Sequence, residues 1–174
     1  MICPGCAAQM TTMTLDGRLG TKVEIEVCTA CRAFWFDEFE SLRLAPGSIL
    51  KLFELTGDHA AGAPIAHSLA CPRCLSTLGL AHDMQNTTRF EYWRCERDHG
   101  RFITFLNFLR EKDFVHPPSP RQLAELRANI RTINCSNCGG PIDLAQETVC
   151  PHCGSPLTIL DVKKMIVDWL KNAE

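Results

Sequence analysis

Eleven cysteines and one histidine fall into three groups of four potential metal donors. The first is Cys3-x2-Cys6 with Cys28-x2-Cys31, and the second is Cys71-x2-Cys74 with Cys95-x3-His99. The third is Cys135-x2-Cys138 with Cys150-x2-Cys153. The inserts between the halves are 21, 20 and 11 residues long, the length of a hairpin, and no cysteine is left over. Two thiol pairs on tight turns suit a tetrahedral cation that accepts soft ligands, which points to Zn2+. Buried hydrophobic thiols would not need this spacing, and a thioredoxin-like redox pair would open a helix in a βαβ context that is missing here. Full quartets leave no coordination position for water, so the three expected Zn2+ ions are structural and not catalytic.

The fourth ligand of the second quartet has two candidates. The spacing of the first quartet, applied here, selects Asp98, whereas His99 requires one extra residue. Beside three thiolates, zinc prefers an imidazole nitrogen to a carboxylate, so His99 is expected, with Asp98 as the alternative. The remaining histidines, His59, His67, His82, His116 and His152, are expected to be exposed and inert.

Each cysteine-bounded unit has too few residues for a stable core without a staple. The fold class implied is a small, metal-stabilised α+β protein. It contains three tandem zinc ribbons, short antiparallel hairpins joined and flanked by amphipathic helices. Three units are expected: residues 1–56, 69–115 and 119–174. In the first, Thr21 to Val27 alternates polar and apolar like a half-buried strand, and Asp16-Gly17 marks a turn. Asp37 and Glu40 read as a capping box for a helix with Phe39 and Leu42 facing inward, ended by Pro46-Gly47. Ser48 then caps a second helix carrying Ile49, Leu52 and Phe53. Residues 57–68 form a small-residue linker, and 116–120 a proline-rich one. An apolar helical stretch is expected at Phe105 to Leu109. Ser119, Pro120 and Gln122 open a further helix with a stripe of Leu123, Leu126 and Ile130. In the third ribbon a glycine follows the second cysteine of each pair, Gly139 and Gly154, supplying the positive φ of the turn. A last helix is expected at 161–173, with Val162, Met165, Ile166, Trp169 and Leu170 on one face.

Disulfides would be the alternative staple, but they belong to secreted proteins. Met1-Ile2 runs straight into Cys3 without a signal segment, and no run approaches the ~20 apolar residues of a membrane span, so a cytoplasmic location and no membrane contact are expected. The formal charge of −2 counts the cysteines as neutral; eleven thiolates and three dications take it to about −7. Such a chain is a poor candidate for sequence-independent nucleic-acid binding. One segment nevertheless interleaves cations and aromatics, Arg89, Phe90, Tyr92, Trp93 and Arg94, in the manner of a base-stacking strand. The competing reading is an amphipathic strand covering its own core, and Glu91, Glu96 and Asp98 dilute the field that phosphate would need. No nucleophile–base pair, phosphate loop or carboxylate dyad stands out, so no enzymatic activity is expected.

Residues 3–42 resemble the bacterial family of transcription factor IIB-like zinc ribbons. Its pattern, Cys-Pro-x-Cys followed by Cys-x-x-Cys-x-Gly-x-Trp-x-Asp-x-x-Glu, reads here as Cys3-Pro4-Gly5-Cys6 and Cys28 to Glu40, with Ala33 in place of the glycine. The match is looser over 71–105, where Trp and Asp do not recur, and 134–157 resembles a generic double-knuckle ribbon. The resemblance implies structural zinc and a bacterial, cytoplasmic protein. The function expected is a non-catalytic adaptor that binds another protein, or a second copy of itself, through its ribbon faces and the 161–173 helix. The alternative is a nucleic-acid-binding or transcription-associated protein.

Overall fold

The computed structural model describes residues 1–37, 39–57 and 63–160. The expected helix at 161–173 lies outside them. The first two ribbons, expected as separate units, instead form one six-stranded antiparallel sheet. The first ribbon contributes β1 (Thr11–Asp16), β2 (Lys22–Cys28) and β3 (Ala33–Phe36), and the second contributes β4 (Gly79–Gln85), β5 (Thr88–Arg94) and β6 (Arg101–Thr104). The strand order is β1-β2-β3-β6-β5-β4, so the third strands of the two ribbons pair with each other. Phe34 lies opposite Ile103, and Trp35 opposite Phe102.

This junction follows from the apolar run Ala33-Phe34-Trp35-Phe36, every residue of which is buried. A strand presents alternate residues to opposite faces, so a continuous apolar run needs cover on both. On one face Phe34 and Phe36 join Leu15, Val23, Ile25, Val27, Ile103 and Phe108 in a core without metal ligands. On the other, Trp35 and Phe102 pack among Cys3, Cys28, Cys31, Cys71 and Cys95. Phe34 and Phe108 meet edge to face with centroids 5.3 Å apart, a favoured aromatic geometry.

Three helices cover the first face. α1 (Glu40–Arg43) is one turn, and α2 runs over Pro46–Gly57. α3 (Phe105–Glu111) is capped by the Thr104 side chain, which accepts from the Asn107 amide. Pro46 begins α2 and does not end α1, consistent with proline's preference for the first turn. Ser48 does not cap it; its hydroxyl donates to the Asp16 carbonyl at 2.8 Å. Half of the expected capping box survives, the Asp37 amide donating to Glu40 at 2.7 Å. The Asp37 carboxylate instead accepts from Trp35 Nε1 at 2.8 Å and pairs with Arg73 of the second ribbon. With so short a helix, Phe39 and Leu42 do not face inward; they are 65% and 59% exposed. α1 is held to α3 by Glu111, which pairs with Arg101 at 2.6 Å and Lys112 at 2.9 Å, while Lys112 donates to the Ser41 carbonyl.

The second half of the expected first linker is docked: the Ala63 amide donates to Ala30 and that of Ala66 to Gly5. After β7 (Val115–His116), Ser119 caps α4 (Pro120–Asn129) as expected, and Gln122 completes a capping box with it. Leu123 and Leu126 pack on the small third core of Ile142, Leu144, Leu157, Cys135 and Cys150, whereas Ile130 is 43% exposed. The third ribbon pairs β8 (Thr132–Asn134) with β9 (Pro141–Asp143), and β10 (Ile159–Leu160) returns to pair with β7. No helix among the described residues is long and apolar enough to cross a membrane.

Candidate metal centre

The knuckles are built by one backbone device. At Cys3, Cys71, Cys135 and Cys150 the cysteine amide donates to the carbonyl five residues on, and the amide four residues on donates back. The reversal requires positive φ directly after the second cysteine, at Ala7, Leu75, Gly139 and Gly154, and Arg32 takes it after Cys31. The third ribbon supplies glycine there; the first two tolerate a side chain because the left-handed basin is small but allowed.

The knuckle at Cys95 differs. It closes one residue early, the Asp98 amide donating to the Cys95 carbonyl at 3.1 Å, and Asp98 takes the left-handed turn at φ 56°. The extra residue therefore brings His99, not Asp98, to the cysteines. His99 Nδ1 lies 3.5 Å from Cys95 Sγ and 3.9 Å from Cys71 Sγ. Asp98 is exposed and lines a groove with Arg94 and Arg101.

The donor atoms of each quartet lie within 4.8 Å of one another: Cys3, Cys6, Cys28 and Cys31; Cys71, Cys74, Cys95 and His99; Cys135, Cys138, Cys150 and Cys153. Neighbouring sulfurs are 3.5 Å apart for Cys3 and Cys31, 3.6 Å for Cys74 and Cys95, and 3.7 Å for Cys135 and Cys153. Sulfurs bound tetrahedrally at about 2.3 Å from zinc stand about 3.8 Å apart, and an imidazole nitrogen about 3.6 Å from a sulfur. The donor sets fit three structural Zn2+ ions. All described cysteines are free of disulfides.

Electrostatics call for the cation. In the first quartet, hydrogen bonds from Cys3 and Cys31 push Cys28 down to about 2. Their bonds to Cys28 push Cys3 up to about 12 and hold Cys31 well above the ordinary thiol range. Zinc takes its cysteine ligands as thiolates, so loading the site must release protons. In the second quartet, the Ser76 hydroxyl, 2.9 Å from Cys74 Sγ, lowers that thiol to about 6. Cys74 and then Cys95 raise His99.

The first two sites share one core, with Trp35 and Phe102 among ligands of both. The third has its own. His99→Ala should therefore leave the first and third ions in place and weaken the second by roughly 10- to 100-fold or more, since it removes a ligand outright. Elemental analysis after dialysis against a moderate chelator should find two ions per chain. Three retained ions would mean that another donor closes the site.

Among the remaining histidines, His67, His82 and His152 are exposed, and His116 lies in β7. His152 packs over Gly140, where an added Cβ would come within 2.5 Å of its ring. His59 lies outside the described residues.

Neither a search of curated proteins nor one of solved structures returns a match. Residues 2–45 match the family model of the transcription factor IIB-type zinc ribbon, described as "Transcription factor zinc-finger". With the knuckles at Cys3 and Cys28, the β1–β3 sheet and the first quartet in place, residues 2–45 are similar to a zinc ribbon of the transcription factor IIB type.

Proposed function

We propose that this protein is a non-catalytic, zinc-stapled scaffold that binds another protein. The observation that carries the reading is where the aromatic side chains of β5 are used. Phe90 is 7% exposed and stacks on Tyr92 at 6.0 Å, while Trp93 packs against Phe102 at 5.9 Å. The Arg101 guanidinium already lies over the Tyr92 ring, 4.9 Å from its centroid. Rings committed in this way are poor platforms for bases, which need a free π-face. Four protein donors at every quartet further support a structural role for the metal.

The exposed Phe39 and Leu42 border a groove of about 400 Å³ that also includes Tyr92, the acidic Asp83 and Asp98, and the basic Arg94 and Arg101. An apolar partner side chain flanked by polar groups suits such a lining. Nucleic-acid binding is the second reading, favoured by the family description and by the exposed Arg89, Arg94 and Arg97.

The test uses the zinc-loaded protein in parallel pull-downs and oligonucleotide titrations at two salt concentrations. The expected result is a protein partner retained by the wild type and lost by Phe39→Asp/Leu42→Asp, with three zinc ions still bound. Tight, salt-dependent binding of single-stranded DNA or RNA that disappears in Arg89→Ala/Arg94→Ala would transfer the function to nucleic acid.

A further inference from the structure

The six-stranded sheet has two edges, β1 and β4, and they are treated differently. The β1 edge is covered at both ends. The Met10 amide, just before it, donates to the Met1 carbonyl at 2.9 Å. The Asp16 carbonyl accepts from the Ala45 amide at 3.0 Å and from the Ser48 hydroxyl at 2.8 Å. The β4 edge, Gly-Leu-Ala-His-Asp-Met-Gln, pairs with β5 on one side and with no described strand on the other. It contains no lysine, arginine or proline, the residues that ordinarily blunt an open edge.

The turn fixes which residues of β4 face outward. β4 and β5 are joined by Asn86-Thr87, with Gln85 opposite Thr88. A two-residue hairpin closes on a hydrogen-bonded pair, so Gln85, Asp83, Ala81 and Gly79 direct their backbone groups at β5. Leu80, His82 and Met84 direct theirs away. Two amides agree with this phase. That of Glu91, opposite His82, donates away from β4 to Asn107 Oδ1 at 3.4 Å, and that of Met84 donates to the Asp83 carboxylate at 2.7 Å. The side chains of the outward residues are also accessible with the third ribbon in place: Leu80 is 50% exposed, His82 71% and Met84 58%.

We propose that β4 pairs antiparallel with β4 of a second copy of this chain, about a two-fold axis at His82, joining the two sheets into one. Outward residues can share hydrogen-bonded pairs only with outward residues, and centring on His82 is the register that uses all three. His82 then lies opposite His82 of the partner subunit, and Leu80 opposite Met84 of the partner subunit on either side. On this face Arg89, Glu91 and Trp93 of β5 stand beside Met84, His82 and Leu80. The central row across the joint is therefore two imidazoles flanked by two carboxylates, His82 already lying 3.8 Å from Glu91. Each outer row sets Trp93 and Leu80 beside a methionine, which adapts to aromatic and aliphatic neighbours. Symmetry supplies both halves of this pattern from one sequence. The Met84 amide exchanges its own Asp83 carboxylate for a carbonyl of the other strand.

The test follows the full-length, zinc-loaded protein by sedimentation equilibrium and by residue-resolved amide hydrogen exchange over a concentration series. The wild type should pass from monomer to dimer as concentration rises. The Leu80, His82 and Met84 amides should gain protection with it, while Ala81 and Asp83 are protected throughout. His82→Pro removes an outward donor from each chain and leaves the β5 ladder intact, so it should raise the dimer dissociation constant roughly 10-fold or more. Should His82→Pro lose zinc, Met84→Lys decides, because it changes only an exposed side chain at the joint and should weaken the dimer likewise. Phe39→Asp/Leu42→Asp, which alters the groove and not the edge, should dimerise like the wild type. The proposal is overturned if the wild type stays monomeric with the three outward amides unprotected at every concentration. It is equally overturned if the β4 variants dimerise like the wild type, or if Phe39→Asp/Leu42→Asp alone abolishes the dimer, since the copies would then meet elsewhere.

Discussion

Treatment with a strong chelator should abolish the third ribbon completely while α2, α3 and the core beneath them lose far less. The difference lies in what each core contains. The third core has three buried aliphatic side chains, Ile142, Leu144 and Leu157, around Cys135 and Cys150, with Leu123, Leu126 and Ile133 only partly buried against them. Fully burying an aliphatic side chain contributes about 1.5–3 kcal/mol, so three cannot offset the entropy of ordering the ribbon. Structural zinc contributes about 10–16 kcal/mol in small ribbons, which makes metal binding and folding one event there. The core under α2 and α3 contains no metal ligand and is rich in large side chains, among them Phe34, Phe36, Phe105, Phe108 and Phe114. The core on the opposite sheet face is intermediate, with five cysteines around Trp35, Phe102, Leu69 and Leu78. Near-UV circular dichroism and tryptophan fluorescence report it through Trp35, which is fully buried there. That signal should collapse on chelation while far-UV helicity largely persists. The first two ions should leave together, because Trp35 and Phe102 pack against both sets of ligands. An unchanged tryptophan signal after verified loss of all zinc would show that these cores stand without metal. Complete loss of helicity would show that the metal-free core cannot stand.

The metal ligands were legible because zinc dictates spacing: a Cys-x2-Cys turn has one backbone solution, and six half-sites repeat it with a single variation. That variation left two candidates at the second site. Asp98 fits the count of residues, and only the early closure of the turn, with Asp98 itself in the left-handed conformation, selects His99. The β2 strand and α4 were also readable, the one from its alternation and the other from Ser119, Pro120 and Gln122. The joining of the first two ribbons was not. Phe34-Trp35-Phe36 has no period, since a strand covered on both faces need not alternate, and so it offers no sign of which strand will lie beside it. Phe39 and Leu42 misled for a related reason: helical spacing predicts a buried face only when the helix continues, and α1 ends after one turn.

Gly100→Ala should damage the protein more than its single methyl suggests, because Gly100 sits where the two ribbons close on each other. Its φ of +127° lies in a region that residues with a side chain essentially do not enter. A Cβ there would stand 2.3 Å from the Phe36 carbonyl oxygen and 3.0 Å from Asp37 Cα, both backbone atoms that no rotamer change can move. Relief requires either retreat of β3 from the second ribbon or a new turn after His99. Retreat would open the β3–β6 pairing that places Trp35 against Phe102. A new turn would disturb the bond from the Cys95 amide to the Gly100 carbonyl, now 3.0 Å, and with it the histidine ligand. The conformational strain costs about 1–3 kcal/mol by itself. With the collision added, a loss of roughly 3 kcal/mol or more is expected, together with weaker zinc at the second site and an intact third site. Gly20→Ala is the control. Its φ of +70° is also positive, but nothing lies within 4 Å of the added carbon, so only the backbone penalty of about 1 kcal/mol applies. Chemical denaturation of the zinc-loaded proteins measures both. If Gly100→Ala unfolds at the same denaturant concentration as Gly20→Ala, β3 and β6 do not meet in solution, and the first two ribbons are separate modules after all.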